Sequence, residues 1–136
     1  VGIVTDNLEQ SIGFYRDILG FKVKKRADES GDCLDTVMAV DGVEVTTVKM
    51  VDEKAQMIEL LYFSSYPGSG QMRQLNDVGL THIALTVQDI DVVYAEMLNA
   101  GISFNAPPTL SEDGNVKLTF CRAPEGTYLE LVQELS

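Results

Sequence analysis

The sequence is poor in positive charge, in histidine and in cysteine, and it has no long apolar run. Ten Lys and Arg stand against 21 Asp and Glu, a formal charge of −11 over 136 residues. The ten cations are scattered, whereas phosphate backbones call for a clustered cationic face, so nucleic acid is excluded as a partner. No stretch reaches the roughly 18 apolar residues of a membrane-spanning helix, and no basic segment followed by an apolar one opens the chain. A cytoplasmic protein without membrane contact is expected, its sequence continuing upstream of Val1. Cys33 and Cys121 have no CxxC or ligand-like spacing, which predicts a reducing compartment and two buried thiols.

What is present reads as one unit used twice. Residues 1–5 alternate like a half-buried strand, and Asn7 with Gln10 offers a helix N-terminus. Leu8, Ile12, Tyr15 and Leu19 form one apolar stripe, Gly20 stops the helix, and residues 21–25 return to a strand. From His82 the order recurs: an alternating strand to Val87, Asp89 as N-cap, a stripe of Ile90, Val93, Tyr94, Met97 and Leu98, and Gly101 as stop. An offset of 82 pairs Val1 with Ile83 and Asn7 with Asp89, but Gly20 meets Gly101 only after one residue is dropped. Further strands are expected over 43–50 and 56–62, and over 116–121 and 127–132, with a short helix over 32–40. Module one covers about 1–63, a turn-rich linker about 64–79 and module two about 80–136, all within a single domain of 1–136.

The most informative residues are two glutamates. In Ile58-Glu59-Leu60 and Leu129-Glu130-Leu131, alternation sends the aliphatics to one face and the carboxylate to the other. If the helices cover the aliphatic faces, the face with Met57, Glu59, Leu61, Tyr128, Glu130 and Val132 is free to line a cavity. A single strand Glu more often does no more than deter aggregation, but two at equivalent places in two repeats ask for another reason. His82, the one histidine, also faces away from the helix. A lone His is more often structural than a ligand; its counterpart in the first repeat is the residue before Val1. One imidazole and two carboxylates make a nitrogen and oxygen set suited to a borderline divalent cation such as Zn, Ni, Co or Mn.

The run Asp6-Asn7-Leu8-Glu9-Gln10-Ser11-Ile12-Gly13-Phe14-Tyr15-Arg16-Asp17-Ile18-Leu19-Gly20-Phe21 resembles the opening of the vicinal oxygen chelate superfamily, which joins glyoxalases, methylmalonyl-CoA epimerases, bleomycin resistance proteins and extradiol dioxygenases. Met57 to Leu61, Gly79 to Leu85 and Pro124 to Val132 are similar to later family segments. The resemblance implies an α+β fold of two βαβββ modules pairing into an eight-stranded half-open barrel, helices on its outer face. It also implies one divalent metal ion on Glu59, His82, Glu130 and the residue before Val1, with Glu130 as ligand and base. Ala123 stands where many members have Asp, a change in turn chemistry.

Such an ion with two open positions suits a small substrate that chelates through adjacent oxygens, and a proton shift through an enediolate or enolate. The expected function is therefore a metal-dependent lyase or isomerase of glyoxalase or epimerase type. The alternatives are a metal-free drug-binding or resistance protein and an extradiol-type dioxygenase. An extra Glu59 ligand would take a position that dioxygen chemistry needs, and keeping three ligand-type residues speaks against pure drug sequestration. Val4 or Thr5 and then Tyr62-Phe63 stand where glyoxalase I relatives carry an Arg and an Asn for glutathione, so glutathione is not supported. Met57, Leu61, Tyr128, Arg73 and Arg122 are the candidate substrate-binding residues; Lys117 is a further cation, and all three cations read more readily as solvated surface. A homodimer is expected, since exposed strand edges gain by being covered.

Overall fold

The computed structural model describes residues 1–65 and 67–135. They divide into two compact units, Val1–Gln71 and Met72–Ser136, the boundary lying inside the turn-rich stretch. In the first unit the order is β1 (Gly2–Val4), α1 (Leu8–Gly13), β2 (Lys22–Ser30), α2 (Asp32–Met38), β3 (Glu44–Val51) and β4 (Met57–Phe63). In the second it is β5 (His82–Thr86), α3 (Ile90–Asn99), β6 (Thr109–Leu110), β7 (Val116–Arg122) and β8 (Tyr128–Glu134). Each unit holds a four-stranded sheet, β1-β4-β3-β2 in one and β5-β8-β7-β6 in the other. The α+β class and the repeated βα opening are as the sequence predicts.

The registers are superimposable. The parallel pair β1 and β4 sets Gly2 opposite Glu59, and the parallel pair β5 and β8 sets Ala84 opposite Glu130. Alternation then buries Ile58 and Leu60 in the first unit, Leu129 and Leu131 in the second, and leaves both glutamates half-buried on the other face. Leu8 and Ile12 carry α1 onto β4, Tyr15 is buried in the turn that follows, and Ile90 and Met97 are the fully covered residues of α3, which packs on β8. Burying such side chains stabilises each unit by about 1.5–3 kcal/mol apiece.

The helix entrances are built alike. Asn7 Oδ1 accepts the Gln10 N–H at 3.1 Å, and Asp89 Oδ1 accepts the Val92 N–H at 3.2 Å. The Gln10 side chain does not reach back to Asn7. Thr5 Oγ1 accepts the Asn7 N–H at 3.1 Å instead, and Ser11 Oγ lies 2.8 Å from the same hydroxyl. Gly20 and Gly101, at φ of +77° and +85°, end the two helical segments in a conformation costly to residues with a Cβ.

Several expectations are corrected. Helix α1 does not run regularly to Gly20: after Gly13 the chain widens into a π-helical turn over Phe14–Ile18. The widening puts Phe14 beside Tyr15 in the core, both buried and edge to face at 5.0 Å between ring centroids. Gly20 lies thirteen positions after Asn7 and Gly101 twelve positions after Asp89, so the residue that had to be dropped to align the repeats is the one the π turn accommodates. Strand β2 extends to Ser30, beyond Lys25, as an edge strand exposed along nearly its whole length. Leu98 lies on the solvent side of α3, 47% exposed. Cys33 is exposed, because α2 buries none of its residues, while Cys121 is buried as expected.

Candidate functional site

Strand alternation and register bring five side chains to one face of the second sheet. Parallel pairing aligns His82 with Tyr128 and Ala84 with Glu130. Antiparallel pairing aligns Phe120 with Glu130 and Arg122 with Tyr128. His82, Phe120, Arg122, Tyr128 and Glu130 thus stand side by side opposite the buried aliphatics, and the small Ala84 leaves room beside the carboxylate.

His82 Nε2 lies 3.1 Å from Glu130 Oε1, the two side chains 27% and 21% exposed. The Phe120 ring meets the imidazole edge to face at 5.0 Å. On its other side, His82 Nδ1 is 3.3 Å from Thr81 Oγ1, and the Thr81 hydroxyl donates to the Leu75 carbonyl at 2.7 Å. A hydroxyl has one proton to give. With that proton committed to Leu75, Nδ1 is placed to donate to Thr81; Nε2 then meets the carboxylate as a second N–H donor when the ring is protonated, or with its lone pair when it is neutral. Two acceptors at 3.1 Å repel unless a proton or a cation lies between them. The pair therefore fits one half of a divalent cation's nitrogen and oxygen shell.

Tyr128 is buried beneath Arg122, whose guanidinium carbon sits 3.9 Å above the ring centroid. Arg122 Nη2 donates to Tyr128 Oη at 2.6 Å and to the Arg73 carbonyl at 2.7 Å, and Nη1 donates to the Gly126 carbonyl at 3.1 Å. The cation is thus largely engaged by its own chain. Arg73 joins the group through its backbone, and its guanidinium donates instead to the Val78 carbonyl. Lys117 is paired with Asp91 at 2.7 Å.

In the first unit, Glu59 is half-buried between Gly2 and Lys49 on the neighbouring strands, with Leu61 half-buried and Met57 exposed on the same face of β4. Glu59 stands to Gly2 as Glu130 stands to Ala84, so counting two residues back along β1 leads to the position before Val1 as the counterpart of His82. Of the expected ligands, His82 and Glu130 are brought together within their unit. Among the described residues, no three His, Cys, Asp or Glu side chains gather into a group that could hold a metal ion.

Sequence reasoning missed two residues. Phe120 was within reach, since alternation along β7 puts it on the face of Arg122 and opposite Cys121. Thr81 lies outside any strand and carries no periodic signal.

Comparison with known proteins agrees with this architecture. The family model described as Glyoxalase/Bleomycin resistance protein/Dioxygenase superfamily matches residues 1–131. Among curated proteins, the chain is similar to "Uncharacterized protein YwbC" of Bacillus subtilis (strain 168), 29% identical, over 97% of this chain and 93% of that one. Among solved structures, a glyoxalase family protein from Bacillus cereus superimposes with a TM-score of 0.90 at 24% identity, over 100% of this chain and 92% of that one. The trypanothione-dependent glyoxalase I of Leishmania major does so with a TM-score of 0.65 at 26% identity, over 98% and 84%. With a matching model over nearly its whole length and the two-fold register behind it, the chain belongs to the Glyoxalase/Bleomycin resistance protein/Dioxygenase superfamily.

Proposed function

We propose that the protein is a metal-dependent lyase or isomerase that moves a proton beside a carbonyl of a small oxygenated substrate. The observation that carries this reading is the His82 and Glu130 pair, two ligand atoms 3.1 Å apart with the far imidazole nitrogen tied to Thr81. Glu59, His82 and Glu130 would hold the ion, with the residue before Val1 as a fourth ligand. A divalent cation such as Zn, Ni, Co or Mn held there would supply electrostatic stabilisation to negative charge on a substrate oxygen as the neighbouring C–H is deprotonated.

The chain supplies the rest. Glu130 would take the proton from the hydroxyl-bearing carbon and return it to the adjacent carbonyl carbon while the hydroxyl proton passes between the two oxygens, so that one C–H and one O–H break, one of each forms, and the composition of the substrate is unchanged. Thr81 and Phe120 fix the imidazole plane, so His82 meets the site in one orientation. Phe120 and Tyr128 shield the carboxylate from water, which strengthens the interactions made inside. Met57 and Leu61, beside Glu59, offer apolar contact to the substrate, and the charges of Arg122 and Arg73 favour an anionic one over the acidic background of the chain. The kinship with glyoxalase I of Leishmania major is consistent with this class of chemistry.

A second reading, a metal-free small-molecule binding protein, is favoured by one observation: the described residues gather no third ligand-type side chain at the His82 and Glu130 pair. Metal analysis separates the two. Protein purified without chelator should carry about one divalent ion per chain, and His82→Ala should lose it while keeping the native circular dichroism spectrum. Glu130→Gln should stop deuterium exchange from heavy water into a panel of α-hydroxy carbonyl compounds. Folded wild-type protein that takes up no divalent ion, or a Glu130→Gln variant that exchanges as fast as wild type, overturns the proposal.

A further inference from the structure

The outer edge of β2 stands apart from everything used so far. The strand ends the first sheet, and among the described residues its one strand partner is β3. Eight of its nine residues are exposed, Ala27 alone being half-buried. The first part holds Lys22, Lys24, Lys25 and Arg26, in a chain with ten basic residues overall, and the second part holds Asp28 and Glu29. A bulge between Val23 and Lys25 interrupts the ladder, so the regular stretch begins at Lys25. An unpaired edge is a template for another strand, and lysines on it commonly discourage pairing. Here, however, the positive half is followed by a negative half on the same edge.

From this arrangement we infer that β2 is the contact by which two copies of the chain associate, pairing antiparallel with itself about a two-fold axis through Ala27. A two-fold axis perpendicular to an antiparallel ladder passes between two directly opposed copies of one residue. Centring it on Lys25, Arg26 or Asp28 would set identical charges face to face, which is unfavourable. Centring it on Ala27 sets the small residue against itself, Lys25 opposite Glu29 on one face, and Arg26 opposite Asp28 on the other, each pair occurring twice. Arg26 already binds Glu9 Oε1 at 2.8 Å, and Asp28 already accepts from Thr46 Oγ1 at 2.7 Å, so both side chains are held on the helix-facing side of the sheet. Lys25 and Glu29 make no ion pair within the described chain and are the pair that association would complete.

Charge reversal tests the register. In sedimentation velocity at low salt, the wild-type chain should be a dimer. Lys25→Glu alone, or Glu29→Lys alone, should weaken it about tenfold or more by placing like charges across the axis. The Lys25→Glu/Glu29→Lys double variant should restore it, and an equal mixture of the two single variants should form heterodimers. Both positions involved are exposed, and matching circular dichroism spectra verify that each variant folds. A monomeric wild type, a dimer indifferent to either single reversal, or a double variant as weak as the singles would overturn the inference.

Discussion

Arg122 is the residue whose removal reports most directly on how the face of the second sheet is held. Its guanidinium donates to the Gly126 carbonyl, the Arg73 carbonyl and Tyr128 Oη, and its carbon lies 3.9 Å over the Tyr128 ring centroid. A hydrogen bond from a charged donor is worth about 1.5–3 kcal/mol when well buried. The contact to Arg73 is exposed, however, and the freed carbonyls can be rehydrated, so the three together count for little more than one such bond. The cation over the ring adds about 0.5–1 kcal/mol at a site of this exposure. Arg122→Ala should therefore cost about 2 kcal/mol, which for a chain of this length lowers the melting temperature by about 6 °C.

The loss should also be local. The turn-rich segment around Arg73 is exposed and is tied to β7 and β8 through this side chain, so trypsin or chymotrypsin should cut the variant sooner between residues 64 and 81 than elsewhere. Arg122→Lys keeps the charge, but a single ammonium cannot span three acceptors and stack at once, so it should recover less than half of the lost stability. If Arg122→Ala melts within about 1 °C of wild type and is digested at the same rate, the guanidinium is no more than a solvated charge and does not hold the segment around Arg73.

Three further outcomes follow from the structure. Asn7→Ala should cost about 1 kcal/mol, the usual worth of an N-cap side chain, because the Gln10 N–H loses its acceptor; a chemical denaturation midpoint unchanged from wild type would show that Thr5 suffices as the cap. Burial pushes the Cys121 thiol from its ordinary 9.0 up to about 12, so Cys33 should react with a maleimide in the native protein and Cys121 only after unfolding. Because the unfolded chain releases that proton first, stability should fall as pH rises from about 9 toward 12, and Cys121→Ala should flatten this alkaline loss; equal slopes in the two proteins would contradict it.

Where the sequence carried a periodic signal, the structure could be read from it. Ile58 and Leu60, and Leu129 and Leu131, announce strands with one buried face, and the same alternation puts Glu59, Glu130 and His82 on the other. Asn7 and Asp89 declare the helix entrances because few other residues can accept a first-turn N–H. What escaped had no such signal. The run from Lys22 to Ser30 offers almost nothing to a core, since an edge strand exposed on both sides needs no alternation, and its length is set by pairing with β3. Leu98 belongs to the stripe by spacing, but the buried contacts of α3 are made by Ile90 and Met97 while Leu98 stays on the solvent side. The orientation of the His82 ring depends on Thr81 and Leu75, a contact among irregular backbone that spacing along the chain cannot encode.

The widened turn at Phe14–Ile18 has a bearing on how the two halves could have diverged. A helix that swallows one surplus amino acid as a local swelling keeps both of its ends, and the strands beyond them, in step with the half that is one residue shorter. Length could then change in this half without the carboxylate at Glu59 slipping to the opposite side of its sheet, and what the swelling added to the interior was a second aromatic ring.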